Sequence, residues 1–299
     1  MTSRMNETAP DGAERTASPG CAKRIASNQR GSTAPAAMLA LVIVVMTAIT
    51  VYIFLKKIWW FPPSITDEGA QFDAQFLRTL VITGVIFVAA QLGLALALFR
   101  YRDRGQRVRY FEGNNTMEII WTLATLVLFV GLGIYAEKAW ASVHFVDASP
   151  SALPIEVTGQ QFAWNFRYAG PDGVFGRTRP DLVSASTGNA VGVDPADPAG
   201  KDDIISPGEI VVPAGRQVDL ILKSLDVTHS FFVRELRLKQ DAVPGMTIHL
   251  HFTANTTGTY EVACAELCGL GHYKMRATMM VVSEADFEKW IQEQEAANQ

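Results

Sequence analysis

Cysteine and histidine are scarce in this chain, and they do not form the common cofactor motifs. Among 299 residues there are three cysteines and five histidines. No Cys-x-x-Cys-His sequence occurs, which excludes covalent attachment of a c-type haem. A phosphate-binding glycine loop and a nucleophile elbow are missing too, so the sequence gives no support to a nucleotide-binding protein or an α/β-type serine hydrolase.

Long apolar runs are missing from the second half of the chain, but three occupy its first 140 residues, at about 36–55, 77–99 and 119–136. Each approaches the roughly 20 residues with which a helix crosses a bilayer. All five histidines stand at position 144 or later, so these runs offer no haem ligand. The sequence predicts a polar tail over 1–35 and transmembrane helices over 36–57, 77–100 and 117–138.

Basic residues predict how these helices are oriented. Five precede the first run and five follow the second: Arg4, Arg15, Lys23, Arg24 and Arg30, then Arg100, Arg102, Arg104, Arg107 and Arg109. By the positive-inside rule both segments are cytoplasmic, and the third helix exports everything after about residue 140. Lys56, Lys57, Trp59 and Trp60 follow the first run in place of a small-residue cleavage site, which indicates an uncleaved anchor.

Charge is divided unevenly between the two halves. Residues 1–144 hold 14 Lys and Arg against 10 Asp and Glu, whereas residues 145–299 hold 12 against 20. An acidic exported domain disfavours nucleic acid as a partner and favours a basic one. The sequence therefore predicts a multi-pass protein of a bacterial-type inner membrane, with its acidic domain on the periplasmic side.

Residues 145–299 have the pattern of an all-β domain. Short aromatic and β-branched runs alternate with turn residues, as in a sandwich or barrel. Residues 176–208 are rich in Gly, Pro, Asp, Ser and Ala with little periodicity, which predicts a long loop. The chain ends in a predicted helix, for which Ser283 is the N-cap and Asp286 follows three residues later.

Two cysteines, a histidine and a methionine fall within twelve residues, "CAELCGLGHYKM" at 264–275. Cys264 and Cys268 can form a small disulfide ring, but this leaves His272 and Met275 unexplained. A zinc site has no use for the methionine. Thiolate, thioether and imidazole together favour copper, and this loop has one thiolate too many for a single-copper electron-transfer site. Two thiolates can instead bridge two coppers, each of which then takes one imidazole.

A second imidazole must come from outside this loop. His229, in "DVTHSFF", is the leading candidate because it follows a strongly β run and stands among aromatic residues that would exclude water. His249 and His251, in "IHLHF", are the competitors. They alternate on one strand, so we expect them to point outward together in a structural role.

The segments "DVTHSF", "LKQDAVPG" and "GTYEVACAELCGLGHYKM" resemble subunit II of the haem–copper cytochrome c oxidases, and the resemblance spans about residues 70 to 295. It implies two family transmembrane helices, here with an extra N-terminal helix, followed by an all-β cupredoxin-like Greek-key sandwich over 145–299. It also implies a subunit that accepts electrons from cytochrome c, or a similar basic donor, at a binuclear copper centre. The electrons pass to haem in catalytic subunit I, where oxygen is reduced to water with proton translocation.

The resemblance assigns ligands residue by residue. Cys264 and Cys268 bridge the coppers, and His229 and His272 bind one each. Met275 is a weak ligand to one copper, and the backbone carbonyl of Glu266 serves the other. The Glu266 side chain then points toward a magnesium ion shared with the catalytic subunit, although a solvent-facing loop acid is the plain alternative.

Four further positions have roles by the same resemblance. Phe162 stands where the family has a tryptophan at which electrons enter, and Trp164 matches a second family tryptophan; core packing is the alternative for both. Asp226 corresponds to acids that dock the donor, or is a turn residue. Glu118 corresponds to a glutamate near a proton path, or is a first-turn acid favoured by the helix dipole. The family usually has a proline in the region of Thr125.

Two other functions compete with this interpretation. A similar copper subunit occurs in some nitric oxide reductases, and the sequence does not decide between the two acceptors. The chain could also be a metal-free assembly or binding module with a decayed site. All copper ligands are present, which speaks against decay.

Overall fold

The computed structural model describes residues 33–102, 110, 112–184 and 186–298. Within them are four α-helices: α1 Thr33–Leu55, α2 Asp67–Arg100, α3 Asn115–His144 and α4 Glu284–Asn298. The first three are long and apolar enough to cross a membrane. Most of the predicted tail, residues 1–32, and most of the basic loop, residues 103–109, lie outside the described residues.

Helices α2 and α3 extend beyond the predicted spans at their polar ends. Helix α2 begins at Asp67 instead of residue 77, with Asp67 and Glu68 in its first turn. The Thr66 hydroxyl accepts a hydrogen bond from the Gly69 amide at 2.9 Å, which caps this end. Helix α3 continues to His144, and Val143 in its last turn is buried. An apolar run marks only the part of a helix that faces lipid, so these polar and packed turns were not predicted.

The described residues divide into two compact units. The first unit contains α1 and the part of α2 from Thr83 onward. In α1 the hydroxyls of Thr47 and Thr50 donate to the carbonyls of Ile43 and Met46, at 2.7 and 2.9 Å. These polar groups are therefore satisfied inside the helix, as a lipid environment requires.

The second unit contains residues 59–82 and the chain from Asn115 onward, and its centre is a β-sandwich. One five-stranded sheet has the order β3-β2-β1-β5-β8, and the other has the order β4-β10-β9-β6-β7. Most neighbours are antiparallel, but β1 pairs with β5 and β4 with β10 in parallel. The strands are β1 Leu153–Gln160, β2 Ala163–Tyr168, β3 Ile204–Pro207, β4 Glu209–Pro213, β5 Gln217–Ser224, β6 His229–Val233, β7 Leu238–Ala242, β8 Ile248–Thr253, β9 Gly258–Cys264 and β10 Arg276–Val282.

One end of the second sheet gathers the predicted ligands. Strand β6 begins at His229 and β9 ends at Cys264, and the two strands pair with Phe231 opposite Cys264. Met275 immediately precedes β10, and the Cys264 amide donates to its carbonyl at 3.1 Å. The Ala265 amide donates to the Ser230 carbonyl at 2.9 Å. Antiparallel pairing of β6, β9 and β10 thus fixes the base of the loop that follows Cys264.

Strand β3 lies inside the segment 176–208, which was predicted as a loop throughout. This segment also contains short 3-10 turns at Pro180–Leu182 and Pro198–Gly200. Strand β3 has only four residues and pairs with β2, with Tyr168 opposite Ile204. Four residues are too few for a recognisable alternation, which explains why the strand was missed.

A buried arginine ties this segment to the sandwich. The Arg167 guanidinium donates to Asp203 Oδ2 at 2.7 Å and to the Gly176 carbonyl at 2.7 Å. It also donates to Glu156 Oε2, at 2.6 Å from Nε, and Glu156 pairs with Lys223 as well. Arg167 is 1% exposed, so its charge is neutralised entirely by these neighbours.

Residues before α2 are bound to the sandwich, so this unit reaches beyond the predicted span of 145–299. The Ile65 amide donates to the Glu235 carbonyl at 3.1 Å, and the Ile65 carbonyl accepts from the Asn255 amide at 2.7 Å. The Arg237 guanidinium pairs with Asp73 at 2.7 Å. Contacts of this sequence separation have no signature in composition.

Helix α4 begins as the sequence predicts. The Ser283 hydroxyl accepts from the Asp286 amide at 3.2 Å and donates to the Asp286 carboxylate at 2.6 Å. One face of the helix places Phe287 and Trp290 against Tyr168, with the Tyr168 and Trp290 ring centres 5.0 Å apart. The helix therefore closes one edge of the core instead of extending into solvent.

Candidate metal centre

The two cysteines of the ligand loop, residues 264–275, lie close together as free thiols. Cys264 ends β9 and Cys268 follows four residues later, and both are buried. Their sulfur atoms are 3.9 Å apart and are not bonded to each other. This spacing leaves room for metal ions that contact both sulfurs.

An imidazole lies beside each sulfur. His229 Nδ1 is 3.9 Å from Cys264 Sγ, and His272 Nδ1 is 3.6 Å from Cys268 Sγ. His229, Cys264 and Cys268 each offer one ligand atom, and these three atoms all lie within 4.8 Å of one another. His229 is fully buried at the start of β6, whereas His272 is partly exposed in a 3-10 turn.

A weaker donor accompanies each half of the cluster. Met275 Sδ lies 3.7 Å from Cys268 Sγ, and the Glu266 carbonyl oxygen lies 3.2 Å from Cys264 Sγ. Each sulfur therefore has one imidazole and one weak donor nearby. This donor set, soft sulfur with imidazole, fits copper and gives zinc no use for the thioether.

Asp226 fixes the orientation of the His229 ring. His229 Nε2–H donates to Asp226 Oδ1 at 2.8 Å, which leaves Nδ1 with its lone pair directed at Cys264. The other oxygen, Oδ2, accepts from the Gln161 amide at 2.7 Å. Burial acts to raise the pKa of the Asp226 carboxyl, but hydrogen bonds from Gln161, His229 and Val227 hold that pKa below its ordinary value.

The surroundings of Cys268 favour its protonated form. Burial raises the pKa of the Cys268 thiol to about 11, and the neighbouring Cys264 adds to the shift. A metal ion binds thiolate, so it must displace the Cys268 proton. A bound cation reverses the effect of burial, because its positive charge stabilises the thiolate form.

The competing histidines have other partners, and one of them differs from its prediction. His249 is exposed and pairs with Asp219 at 3.0 Å. His251 shares its strand face but is only 6% exposed, because its Nε2 donates to the Val146 carbonyl at 2.8 Å. The two rings therefore do not both face solvent: the chain just after α3 covers the second.

The two aromatic residues at the predicted electron path differ in exposure. Phe162 lies in the turn between β1 and β2 and is 38% exposed. Trp164 is fully buried, with its ring centre 5.9 Å from that of His229 and 5.8 Å from that of Phe231. Phe162 is therefore accessible from solvent, whereas Trp164 packs in the core behind a predicted ligand.

The remaining predicted positions differ in how they relate to this cluster. The Glu266 side chain is exposed, although its carbonyl contacts Cys264. Glu118 is in the exposed first turn of α3. Four residues after Trp121, where the family usually has a proline, the Thr125 hydroxyl donates to the Trp121 carbonyl at 2.7 Å. Asp226 points its carboxylate inward, and its docking role remains a prediction.

Sequence reasoning missed two features beside the cluster. Gln161 donates from Nε2 to the Cys268 carbonyl at 2.6 Å, a contact across 107 residues that no local pattern announces. Three apolar side chains of the ligand loop are strongly exposed: Leu267, Leu270 and Tyr273, at 77%, 99% and 69%. The exposure of these three side chains could have been predicted, because apolar residues that stand between metal ligands in a loop have no core to pack against.

Comparison with known proteins decides the family. A family profile described as "Cytochrome C oxidase subunit II, periplasmic domain" matches residues 153–283. An "Alternative cytochrome c oxidase subunit 2" from Bradyrhizobium diazoefficiens is 36% identical over 261 residues, which cover 86% of this chain and 91% of the relative. The chain belongs to the cytochrome c oxidase subunit II family.

Further relatives carry the same description. A "Cytochrome c oxidase subunit 2" from Thermostichus vulcanus is 32% identical over 262 residues, covering 79% of this chain and 78% of the relative. A crystal structure of the periplasmic domain of subunit II from Bradyrhizobium japonicum is 26% identical, with a TM-score of 0.38, and covers 51% of this chain and all of that one.

Membership confirms the predicted class and architecture. The chain is a subunit II component of a haem–copper oxidoreductase, and it has membrane-type helices before a periplasmic cupredoxin-like β-domain. Three helices are candidate spans, in agreement with the predicted extra N-terminal helix. The family implies copper binding and assembly with other oxidase subunits.

Proposed function

We propose that this subunit II chain receives electrons from cytochrome c, or a similar basic donor, at a binuclear copper site and delivers them to haem in catalytic subunit I. There they support reduction of oxygen to water coupled to proton translocation. The observation that carries the proposal is the paired arrangement of donors where β6 begins and β9 ends. Each of two sulfurs 3.9 Å apart has its own imidazole and its own weak donor.

The protein frame supports fast electron transfer at such a site. Cys264, Cys268, His229 and His272 would hold the two copper ions, and such a pair would supply a one-electron carrier. His229 is immobilised by Asp226 on one side and by Trp164 on the other. Cys264 and Met275 are bound to each other through the backbone. Rigid ligands keep the site near one geometry in both oxidation states, which lowers the cost of electron transfer.

Rapid mixing of the purified oxidase complex with reduced cytochrome c tests this function. The copper absorption should bleach before the haem of the catalytic subunit is reduced, and oxygen should then be consumed. Haem reduction at the same rate in a complex lacking copper in this site would contradict the proposal. Consumption of nitric oxide instead of oxygen would assign the chain to the competing reductase while keeping its electron-transfer role.

The surface around the site supports direct docking of a donor. Phe162, Leu267, Leu270 and Tyr273 expose apolar area beside the cluster, and the 145–299 region carries an excess of acidic residues. Apolar contact brings redox centres together, and acidic surroundings steer a basic donor toward them. The Asp226 side chain is 32% exposed, and we propose that this exposed part contributes to the acidic surroundings.

Phe162 is the residue to vary at this surface. Phe162→Ala should slow electron transfer from donor to copper by roughly tenfold or more, because truncating a central aromatic typically weakens docking strongly. Phe162→Trp should leave the rate similar or higher, and the wild-type rate should fall with added salt. Stopped-flow kinetics with a copper assay measure this, since copper content must stay constant. Intact donor oxidation in Phe162→Ala would remove the residue from the path.

We further propose that the ligand-bearing domain is periplasmic and that both basic segments are cytoplasmic. A reporter fused after Gln299 should be active only outside the cytoplasm, and one inserted in the 101–113 loop only inside. The three candidate spans are consistent with this arrangement, since α2 and α3 form one pair of crossings after the α1 anchor. A mature N-terminus near residue 57 would show that α1 is a cleaved signal instead.

Two further roles are proposed at the boundary with the catalytic subunit. We propose that the Glu266 carboxylate binds a magnesium ion shared between subunits; the exposure of its side chain, while its carbonyl contacts Cys264, supports this role. We propose that Glu118 feeds a proton path in the neighbouring subunit; its exposure in the first turn of α3 supports this role.

A further inference from the structure

The turn between β1 and β2 contacts both halves of the cluster. Within this turn, Gln161 makes one hydrogen bond through its backbone and one through its side chain. Its backbone amide donates to Asp226 Oδ2 at 2.7 Å, and Asp226 Oδ1 accepts from His229. Its side-chain amide donates to the Cys268 carbonyl at 2.6 Å. Gln161 is thus connected to His229, through Asp226, and to Cys268, although these two predicted ligands are 39 positions apart in the chain.

The neighbouring ring covers the loop between Cys268 and His272. A Cβ built on Gly271 would lie 2.3 Å from the Phe162 ring, and one built on Gly269 would lie 3.2 Å from it. Gly269 also has a φ of +133°, a conformation that side chains rarely adopt. The ring therefore lies directly against the loop backbone, and only glycine permits that approach.

Little else holds this part of the loop. Leu267 and Leu270 point into solvent and bury almost nothing against the domain. Within the described residues, Gln161 is the one side chain from outside the loop that hydrogen-bonds to the backbone of residues 265–271. The Gly269 and Gly271 carbonyls accept from the His272 and Lys274 amides of the same loop, and the other backbone bonds close the loop at its two ends. Its middle therefore relies on the β1–β2 turn for its position.

We propose that Gln161 is a positioning residue for the copper site, which sets Cys268 directly and His229 through Asp226. This role rests on the proposed binuclear site. Within that site, Gln161 fixes the position of Cys268 relative to His229. The side chains that orient metal ligands control metal affinity and ligand geometry, and their loss typically costs roughly 10- to 100-fold in affinity.

The test removes the hydrogen bond from the Gln161 side chain to the Cys268 carbonyl and keeps the one from the Gln161 backbone amide to Asp226. Gln161→Glu has the same shape but presents an acceptor to the Cys268 carbonyl, and Gln161→Leu removes the donor without adding charge. Gln160→Glu is the matched control, since it adds the same charge one residue earlier, where no hydrogen bond is made by the side chain among the described contacts. All are made in the full chain and measured in the purified oxidase complex.

Copper release to a chelator and the copper hyperfine pattern in electron spin resonance are the readouts. Both Gln161 variants should release copper roughly 10- to 100-fold faster than wild type and should alter the hyperfine pattern, while Gln160→Glu matches wild type. Asp226→Ala should also change the pattern, which loss of donor docking alone would not do. If the wild type lacks a binuclear signal, the proposed function fails. If it has one and the Gln161 variants behave like Gln160→Glu, the positioning role is overturned.

Discussion

Replacing Cys264 or Cys268 with serine is expected to abolish the proposed binuclear copper site and, with it, the proposed electron transfer from cytochrome c. Each sulfur lies within 3.9 Å of the other and of one imidazole, so in the proposed site either loss removes a bridge and not merely a terminal ligand. A serine hydroxyl does not replace a soft thiolate for copper. The variant complex should hold no copper in this site, or a single ion, and its oxygen consumption should fall to that of a copper-free complex.

Met275→Leu is the matched comparison because it removes a weak donor of similar volume. It should keep both copper ions, shift the reduction potential and slow electron exchange. Copper content by elemental analysis, spin resonance and turnover with cytochrome c separate the two classes of variant. Equal copper loss in the cysteine and methionine variants would contradict the division into bridging and weak ligands.

Arg167→Met is expected to destabilise the β-domain by about 3 kcal/mol or more, because it leaves a buried carboxylate without its countercharge. Asp203 accepts from Arg167 at 2.7 Å, and its side chain is 1% exposed. Glu156 retains Lys223 and suffers less. The substitution should also free the 176–208 segment, since Arg167 binds the Gly176 carbonyl. Thermal loss of the copper signal and limited proteolysis of the complex measure both effects.

Arg179→Met is the control for this substitution. Arg179 pairs with Asp181 at 2.7 Å in the same segment, but both side chains are exposed, at 51% and 62%. Exposed pairs contribute roughly 0–1 kcal/mol, so this variant should unfold close to the wild-type temperature. Similar decreases of the unfolding temperature in both variants would show that burial does not determine how much Arg167 contributes to the stability of the β-domain.

The ligand loop was predictable because its chemistry is local. Cys264, Cys268, His272 and Met275 fall within twelve residues, and each donor type is scarce enough elsewhere to be noticed. The membrane-type helices were predictable for a related reason, since a continuous apolar run is visible in any window. Even the remote His229 could be proposed, because a β run and aromatic neighbours suggested a strand end.

The contacts that orient these ligands could not be predicted. Gln161 meets Cys268 across 107 residues, and Asp226 was assigned to donor docking before the structure showed its carboxylate on His229. Burial also joins Arg167, Glu156 and Asp203 in one charged network, which no local sequence pattern indicates. Such partners are brought together by strand order and not by spacing, so composition and periodicity carry no trace of them.

Copper stoichiometry with spin resonance on the purified oxidase complex tests the central claim most directly. A subunit II chain with this cluster should hold two copper ions in the site, and one unpaired electron should show hyperfine coupling to both nuclei. One zinc ion per chain at the site, or a Cys264–Cys268 disulfide in the native complex, would contradict a binuclear copper centre.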